Sequence, residues 1–574
     1  MTEALEKEAA GIAGPLATSS EKASDIESQS LRLDKDDKGN LEDQTSDIEA
    51  QSRHDEKDGK ANTLDPDDDE SRYPHGLPVV LIVLSLVMVV FLVALDRTII
   101  ATAIPEITDQ FGSFTDIGWY GSAYLLTFCA FQLMLGRVYT FYSPKWVFLS
   151  LIAVFEIGSI VCAAAPNSNA FIVGRAVAGL GSSGIISGAV TILMSTFPLR
   201  KRPMVQGSFG AVFGIASVAG PLLGGAFTSD VTWRWCFWIN LPLGGFVLVV
   251  LAFILKAPPA MKAGTTWQEQ IRQLDPIGTA AFLPGIVCFL LALQWGGTTY
   301  PWSSGRVIAL LVVGVVLMLA FIGIQFWKKD NATIPPRILT NRSVASGLWF
   351  MTCVSGNIFS LVYYLPVWFQ AIKGASAVHS GIMNLPFMLS VTIAAILSGI
   401  LVSKIGYYVP FMLLSTALMS IGGGLLSLFD IGTEHPRWIG FQVPAGFGIG
   451  LGMQQASVAA QTVLSKQDAP TGVALIFFGQ SFGGSVFIAV AQNILGNRLA
   501  KQLTGIPGFD PSLIVNTGAT DLRRVLDPKY LDVVLIAYNN ALKDVWYLAA
   551  AVSAASIFGA AAMEWRSVKT KKNQ

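Results

Sequence analysis

Apolar stretches of about 20 residues, the length that crosses a hydrocarbon core of roughly 30 Å, recur along this chain and leave little else to fold. Fourteen are legible, near 78–104, 117–136, 146–165, 170–195, 204–228, 235–255, 276–294, 306–327, 344–366, 380–402, 409–428, 438–463, 471–495 and 545–563. Lipid offers the backbone no hydrogen-bond partner, so each stretch must satisfy its own N–H and C=O groups, which an α-helix does within one segment. The expected fold class is an all-α polytopic membrane protein with 14 transmembrane helices. Charged residues make up only 14% of the 574, and most sit in the first 74 residues or in short clusters between apolar runs, which excludes a set of soluble domains. The zero net charge averages an acidic tail against basic loops and implies no nucleic-acid partner.

Residues 1–74 are rich in Ser, Asp, Glu, Lys and Gly, with an acidic run at 65–70. Such a segment cannot bury enough apolar surface to offset the entropy of ordering, so a disordered solvated tether is expected, with a phosphorylated regulatory tail as the alternative. Its polar start implies no cleavable signal peptide and leaves targeting to the first span. An even number of spans puts both termini on one side. On that side fall Arg137 and Lys145, Arg200 to Arg202, Lys328, Lys329, Arg337 and Arg342, Lys404, and Lys466, against Arg234, Lys373 and Arg437 in short loops opposite. Lys and Arg collect in cytoplasmic loops, so both termini are expected in the cytoplasm. The expected division is a tail at 1–74, a six-helix half at 75–256, two inserted helices with flanking cytoplasmic loops at 257–342, a second half at 343–565, and a basic tail at 566–574. An extracellular loop at 496–544 belongs to the second half, and its stretch 530–544 has the periodicity of a short helix over the exit. A faint repeat supports the halves: Gly136 opens a short loop ending at Lys145, and 399–406 occupies the corresponding place later. The sequons at Asn331 and Asn341 lie in a loop placed in the cytoplasm, which predicts an unglycosylated protein. The five cysteines read as packing residues, with no metal and no disulfide framework.

Against this background the ionisable residues inside spans stand out. Asp96 and Arg97 interrupt the first apolar run, at a cost of several kcal/mol unless paired or facing water, and such residues usually mark an ion or substrate path. Proton coupling needs a carboxylate. Burial favours the neutral form of Asp96 and a nearby cation the charged form, so Asp96 is the candidate proton carrier, with a helix-breaking structural contact as its bland alternative. Arg175, one turn into span 4, stays charged and can only steer or tune. Glu156, mid-span 3, is either a second proton site or a neutral, hydrogen-bonded packing residue. Span 5 carries Gly210, Gly214, Gly220, Pro221, Gly224 and Gly225; glycines at four-residue spacing admit a neighbouring backbone, and the proline removes a helical hydrogen bond, so the span is built to pack closely and flex.

The span 5 string resembles the antiporter signature of the major facilitator superfamily's fourteen-span drug:proton antiporters. Residues 95–105 resemble that family's first-span motif and 172–181 its fourth-span motif, so the resemblance covers 76–565. The strings 165–168, 233–242, 294–297 and 363–370 resemble fungal members that export toxins and other secondary metabolites. The resemblance implies the major facilitator fold, two six-helix halves plus two inserted helices, and an efflux antiporter: an organic molecule leaves as a proton enters, Asp96 carries or gates the proton, Arg175 tunes it, and span 5 gates access. One departure matters. Where the family's loop between spans 2 and 3 carries an Asp and an Arg, this chain has Thr140 and Phe141, leaving Gly136 and Lys145 and putting the cytoplasmic latch of that loop in question.

The candidate cavity residues are Tyr124, Gln132, Asn357, Tyr364, Gln455 and Gln480. With few acidic groups beside them, they suit neutral or amphipathic organic molecules held by stacking and hydrogen bonds, although interfacial packing explains any single aromatic as well. No GxxxxGK[ST] string occurs, so nucleotide hydrolysis is unsupported and no cofactor is expected. No nucleophile–base set appears, which argues against an enzyme. The expected partners are a small organic substrate, the proton and the lipid bilayer, with the chain acting as a monomer in the plasma or the vacuolar membrane. Two rivals share parts of this reading: a proton-coupled importer of a siderophore, polyamine or amino acid, and a non-transporting receptor or scaffold.

Overall fold

Prolines and glycines punctuate the helices as their backbone chemistry dictates. Pro144, Pro203, Pro276, Pro386, Pro470 and Pro528 stand in first turns, where the missing N–H costs nothing, and Gly112 and Gly406 end helices at positive φ (61° and 97°). The structure is a computed structural model, and it describes residues 73–113, 116–256, 266, 270, 273–297, 299–504 and 526–569. The acidic tail and the sequence between the last two long helices lie outside the described residues, as does the basic end of the chain beyond 569.

The long helices are α1 (Leu77–Phe111), α2 (Ile117–Phe141), α3 (Pro144–Ala163), α4 (Ser168–Thr196), α5 (Arg202–Asp230), α6 (Asn240–Ile254), α7 (Pro276–Trp295), α8 (Gly305–Lys328), α9 (Arg342–Ala371), α10 (Leu385–Ile405) and α11 (Val409–Leu426). They continue with α12 (His435–Gly452), α13 (Gln455–Val463), α14 (Ala469–Leu503) and α15 (Pro528–Ala562). Among the described residues, 13 helices are long and apolar enough to cross a membrane.

The twelfth stretch, expected as one rod over 438–463, is instead broken between α12 and α13 at Met453 and Gln454. Gly446, Gly448, Gly450 and Gly452 alternate through its last turns and sit against backbone or side chains of α10, α11 and α9. Each interior glycine weakens a helix by about 1 kcal/mol relative to alanine, so this segment is held by its neighbours more than by its own propensity. The second correction concerns 530–544. That stretch is no separate helix over an exit but the first part of α15, while α14 runs on to Leu503, so 504–527 connect the two helices.

The packing of α1–α6 recurs in the later helices. In the first set α1 packs on α5 and α6, α3 on α4 and α6, and α2 on α4. Replacing α1 to α4 by α9 to α12, α5 by α14 and α6 by α15 reproduces every one of those pairs. The two most extensive contacts between the sets are α5 with α10 and α2 with α14, which are equivalent under the same exchange; α4 also touches α14. The hairpin α7–α8 stands apart from this scheme, packing on itself and touching α2 and α14 through α7.

Candidate functional site

Asp96 lies midway along α1 and Arg175 two turns into α4, and the packing of these helices brings the two side chains together. Arg175 Nη1 donates to Asp96 Oδ2 at 2.7 Å, with both side chains essentially shut from solvent. Arg175 Nε donates to the Tyr120 carbonyl at 3.0 Å, and its guanidinium lies 4.6 Å from the Tyr124 ring centroid. The other carboxylate oxygen faces Asn240 on α6: Asn240 Nδ2 reaches Asp96 Oδ1 at 3.4 Å and donates to Ser159 Oγ at 3.1 Å. Two charges withdrawn from water together are tolerated only when each finds partners, and this pair finds them on α1, α2, α4 and α6. Asn240 was not among the candidates read from the sequence; an Asn at the head of an apolar stretch carries no signal of its own.

Glu156 is buried one turn before Ser159 on α3, and its carboxyl group backs onto Gly244 of α6. Neither carboxyl oxygen has a hydrogen-bond partner among the described residues, so the hydrogen-bonded packing alternative finds no bond here. Gly244 makes room for it; a side chain there would occupy the carboxyl's place.

The α5 glycines divide their work. Gly210 and Gly214 face Ala395 and Thr392 of α10, across the boundary between the two helix sets, while Gly220 and Gly224 face Thr98 and Thr102 of α1. Thr98 Oγ1 donates to the Ala216 carbonyl at 3.0 Å, a tie from the helix of Asp96 to the helix of Pro221. Gly225 faces open space apart from Val378 at 3.9 Å.

At the end of the bundle rich in Lys and Arg, Gly136 lies against Pro470 and Ala474 of α14, and the Thr140 and Thr471 hydroxyls are 3.2 Å apart. Lys145 Nζ donates to the Ala252 carbonyl at 2.7 Å in the last turn of α6, where a cation suits the helix dipole. The charges missing from the α2–α3 loop reappear by another route. Arg137 Nη2 donates to the Asp330 carbonyl at 2.7 Å; Arg337 Nε donates to the Asp330 carboxylate at 2.7 Å, and its two terminal nitrogens grip both oxygens of Asp468 at the head of α14. The segment after α8 thus links α2 to α14. Its two sequons serve the fold: Thr333 donates to Asp275, and Asn341 caps α9.

The cavity candidates do not share one space. Asn357 donates to the Ala549 carbonyl at 3.1 Å and to Ser553 Oγ at 2.5 Å, tying α9 to α15. Tyr364 reaches the Ile488 carbonyl at 3.4 Å, and Gln455 bonds back to Leu451 within the break between α12 and α13. The backbone carbonyl of Gln480 accepts from Ser355, and Gln132 is fully buried in α2 with its amide unpartnered among the described residues. None of the six stands in the wall of the narrow cleft between the helix sets, and Tyr124 approaches it only through Arg97. That cleft is walled by Arg97, Leu125, Phe128, Phe359, Ser481, Gly484, Ser485 and Ile488. Arg97 sits 3.9 Å from the Phe128 ring centroid and 5.6 Å from that of Tyr124.

Two helix sets with one packing plan, a cleft on their shared boundary and a buried ion pair beside it define a polytopic membrane transporter. The sequence profile of the Major Facilitator Superfamily matches residues 86–488, and the chain belongs to that family. It is 54% identical over 501 residues to the MFS-type transporter VdtG of Byssochlamys spectabilis, covering 87% of this chain and 90% of that one. It is 50% identical over 513 residues to the efflux pump aflT of Aspergillus parasiticus, covering 89% and 100%, and 49% identical over 501 residues to the rubrofusarin-specific efflux pump aurT of Gibberella zeae, covering 87% and 92%. Among solved structures the fold is similar to the human organic anion transporter MFSD10 (TETRAN), with a TM-score of 0.53 at 14% identity over 83% of this chain and 100% of that one.

Proposed function

We propose that this transporter exports small organic molecules of the toxin, drug or secondary-metabolite class by alternating access, the exit of cargo being coupled to the entry of a proton. The relatives named as efflux pumps support the direction and the class of cargo. The observation that carries the proton step is the Asp96–Arg175 pair, a carboxylate held at 2.7 Å with both side chains buried, so that its neutralisation removes an ion pair joining α1 to α4. Glu156, unpartnered among the described residues and one turn from the Asn240–Ser159 contact, is the second carboxyl of the proposed proton route. The proposed moving parts are two six-helix halves, 75–256 and 343–565, rocking about α5–α10 and α2–α14, with 257–342 inserted between them. Lysine and arginine density supports a cytoplasmic position for the termini and the Arg137–Asp468 end, and the plasma membrane is the proposed site. The proposed transporting unit is the monomer.

A strain lacking the protein, challenged with a panel of toxic metabolites, identifies a cargo by hypersensitivity. The purified chain is then reconstituted with that cargo inside liposomes and an acid step is applied outside. Cargo efflux accelerated by the step is the expected result; efflux indifferent to it overturns the proton coupling.

A further inference from the structure

Among the described residues, Arg97 is a cation inside a membrane-length helix with no carboxylate partner. Its neighbour Asp96 is engaged by Arg175 and Asn240. Nε and Nη2 of Arg97 are buried and have no hydrogen-bond partner among the described residues. Other buried guanidinium groups are treated differently: Arg175 has a carboxylate and a carbonyl, and Arg137 has the carbonyls of Gln273 and Asp330. What holds Arg97 is aromatic, with Phe128 at 3.9 Å and the stacked Tyr124 beyond it. Cation–π contact steadies a guanidinium without neutralising it and leaves its N–H fork available to a bidentate acceptor.

The position of this fork is as telling as its chemistry. It opens on the cleft whose walls come from both helix sets, α1 and α2 on one side and α9 and α14 on the other. The rest of that wall is Leu125, Phe128, Phe359 and Ile488 with two serines, and both serine hydroxyls already donate to carbonyls of their own helix. One unpaired positive charge in apolar and aromatic walls recognises a molecule of matching pattern, a flat apolar body bearing one delocalised negative group.

We infer that Arg97 is the anchor of a cargo subsite selective for amphipathic aromatic anions, carboxylates or ionised phenols, bound between the two helix sets with the anionic oxygens on the guanidinium and the ring system along Phe128 and Phe359. This deepens the export reading and rests on it only for the cleft being the cargo path.

The test is equilibrium binding to the purified full-length chain in detergent at neutral pH, using a radiolabelled isosteric series: 2-naphthoate, 2-naphthamide and 2-naphthylmethylammonium. The wild-type chain should bind the naphthoate at least about tenfold more tightly than the amide, and the ammonium most weakly, as loss of one charge-assisted contact predicts. Arg97→Gln should abolish the naphthoate's advantage over the amide, its fold being checked independently by monodisperse elution and an unaltered helical circular-dichroism spectrum, and Arg97→Lys should retain the anion preference. Equal affinity across the series, a preference surviving Arg97→Gln, or no saturable binding of the naphthoate overturns the assignment. No gradient is applied, so failure here leaves proton-coupled export standing, and failure of the liposome experiment leaves this site standing.

Discussion

Asp96 and Arg175, 79 positions apart in the chain, meet at 2.7 Å with neither side chain reaching solvent. Breaking a buried pair by removing one partner typically costs about 3–5 kcal/mol, whereas replacing both partners with apolar residues is often neutral. Two roles can thus be separated. Asp96→Asn is expected to abolish gradient-driven export, below about a twentieth of the wild-type rate in liposomes, and to lower the unfolding midpoint. The double variant Asp96→Leu with Arg175→Met should recover the midpoint and remain inactive. Recovery of transport along with stability would assign the pair to packing alone.

The α5 glycines supply a prediction with an internal control. Gly214 and Gly220 lie hard against Thr392 of α10 and Thr98 of α1, so a side chain at either place must push a helix aside. Overpacking of this kind costs about 1–3 kcal/mol and occasionally more, and at a moving boundary it also obstructs the motion. Gly214→Val and Gly220→Val should each cut transport at least tenfold with normal amounts of protein in the membrane. Gly225→Ala, which meets only Val378 at 3.9 Å, should transport within about twofold of wild type. Equal damage from all three would show that the motif matters for helix propensity and not for close approach.

The fold class was legible because a bilayer imposes a length, and a run of twenty apolar residues can hardly do anything else. Legibility failed where that rule is silent. The first part of α15 carries Asp532, Lys543 and Asp544, so its hydropathy falls although its helix continues, and the break at Met453 arises from glycines whose neighbours on α10 and α11 no local pattern names. Asp96 and Arg175 stood out individually as charges in lipid, but their partnership, and the share of Asn240 in it, depends on helix packing across 79 and 144 positions. Arg97 was visible as half of an ionisable pair; that its partner would be claimed by another helix was not. The amides chosen as cavity lining were chosen for polarity, and a buried amide such as Asn357 serves equally well to join two helices.

Asp275 offers a prediction in pH. It caps α7 through Gly278 N–H and also receives Lys328 Nζ at 2.8 Å, Gln325 at 3.0 Å, and the amide and hydroxyl of Thr333. Burial pushes its carboxyl upward, but the Lys328 ammonium and these donors outweigh burial and hold it below its ordinary range. A carboxylate lowered on folding stabilises the folded chain fully above its unfolded value of about 3.9, and loses that contribution as pH falls through the folded value. Asp275→Asn should therefore lower stability near pH 7, by about 3–5 kcal/mol for a broken buried pair, with the gap to wild type closing below about pH 4. Thermal unfolding in detergent across that range measures it, and a gap independent of pH would place the effect in the cap and not in the charge.

The link from Arg137 through Asp330 and Arg337 to Asp468 spans the two helix sets at the same end as the Thr140–Thr471 contact. Helix α2 reaches it through Arg137 and α14 through Asp468, so separation of α2 from α14 must break it. Arg337 is half exposed, and an exposed pair is worth about 0.2–1 kcal/mol, which caps the shift in a two-state equilibrium at about fivefold. With the five free cysteines replaced, Thr140→Cys with Thr471→Cys should cross-link rapidly under mild oxidation. Adding Asp468→Asn should slow that cross-link by two- to fivefold and raise labelling of either single cysteine by a polar maleimide. High salt should act in the same direction on the wild type and have little further effect on Asp468→Asn, because screening weakens the charge pair and leaves the threonine contact alone. Unchanged cross-linking in Asp468→Asn would mean that α2 and α14 are held by the Gly136–Ala474 packing itself, with the charges as bystanders.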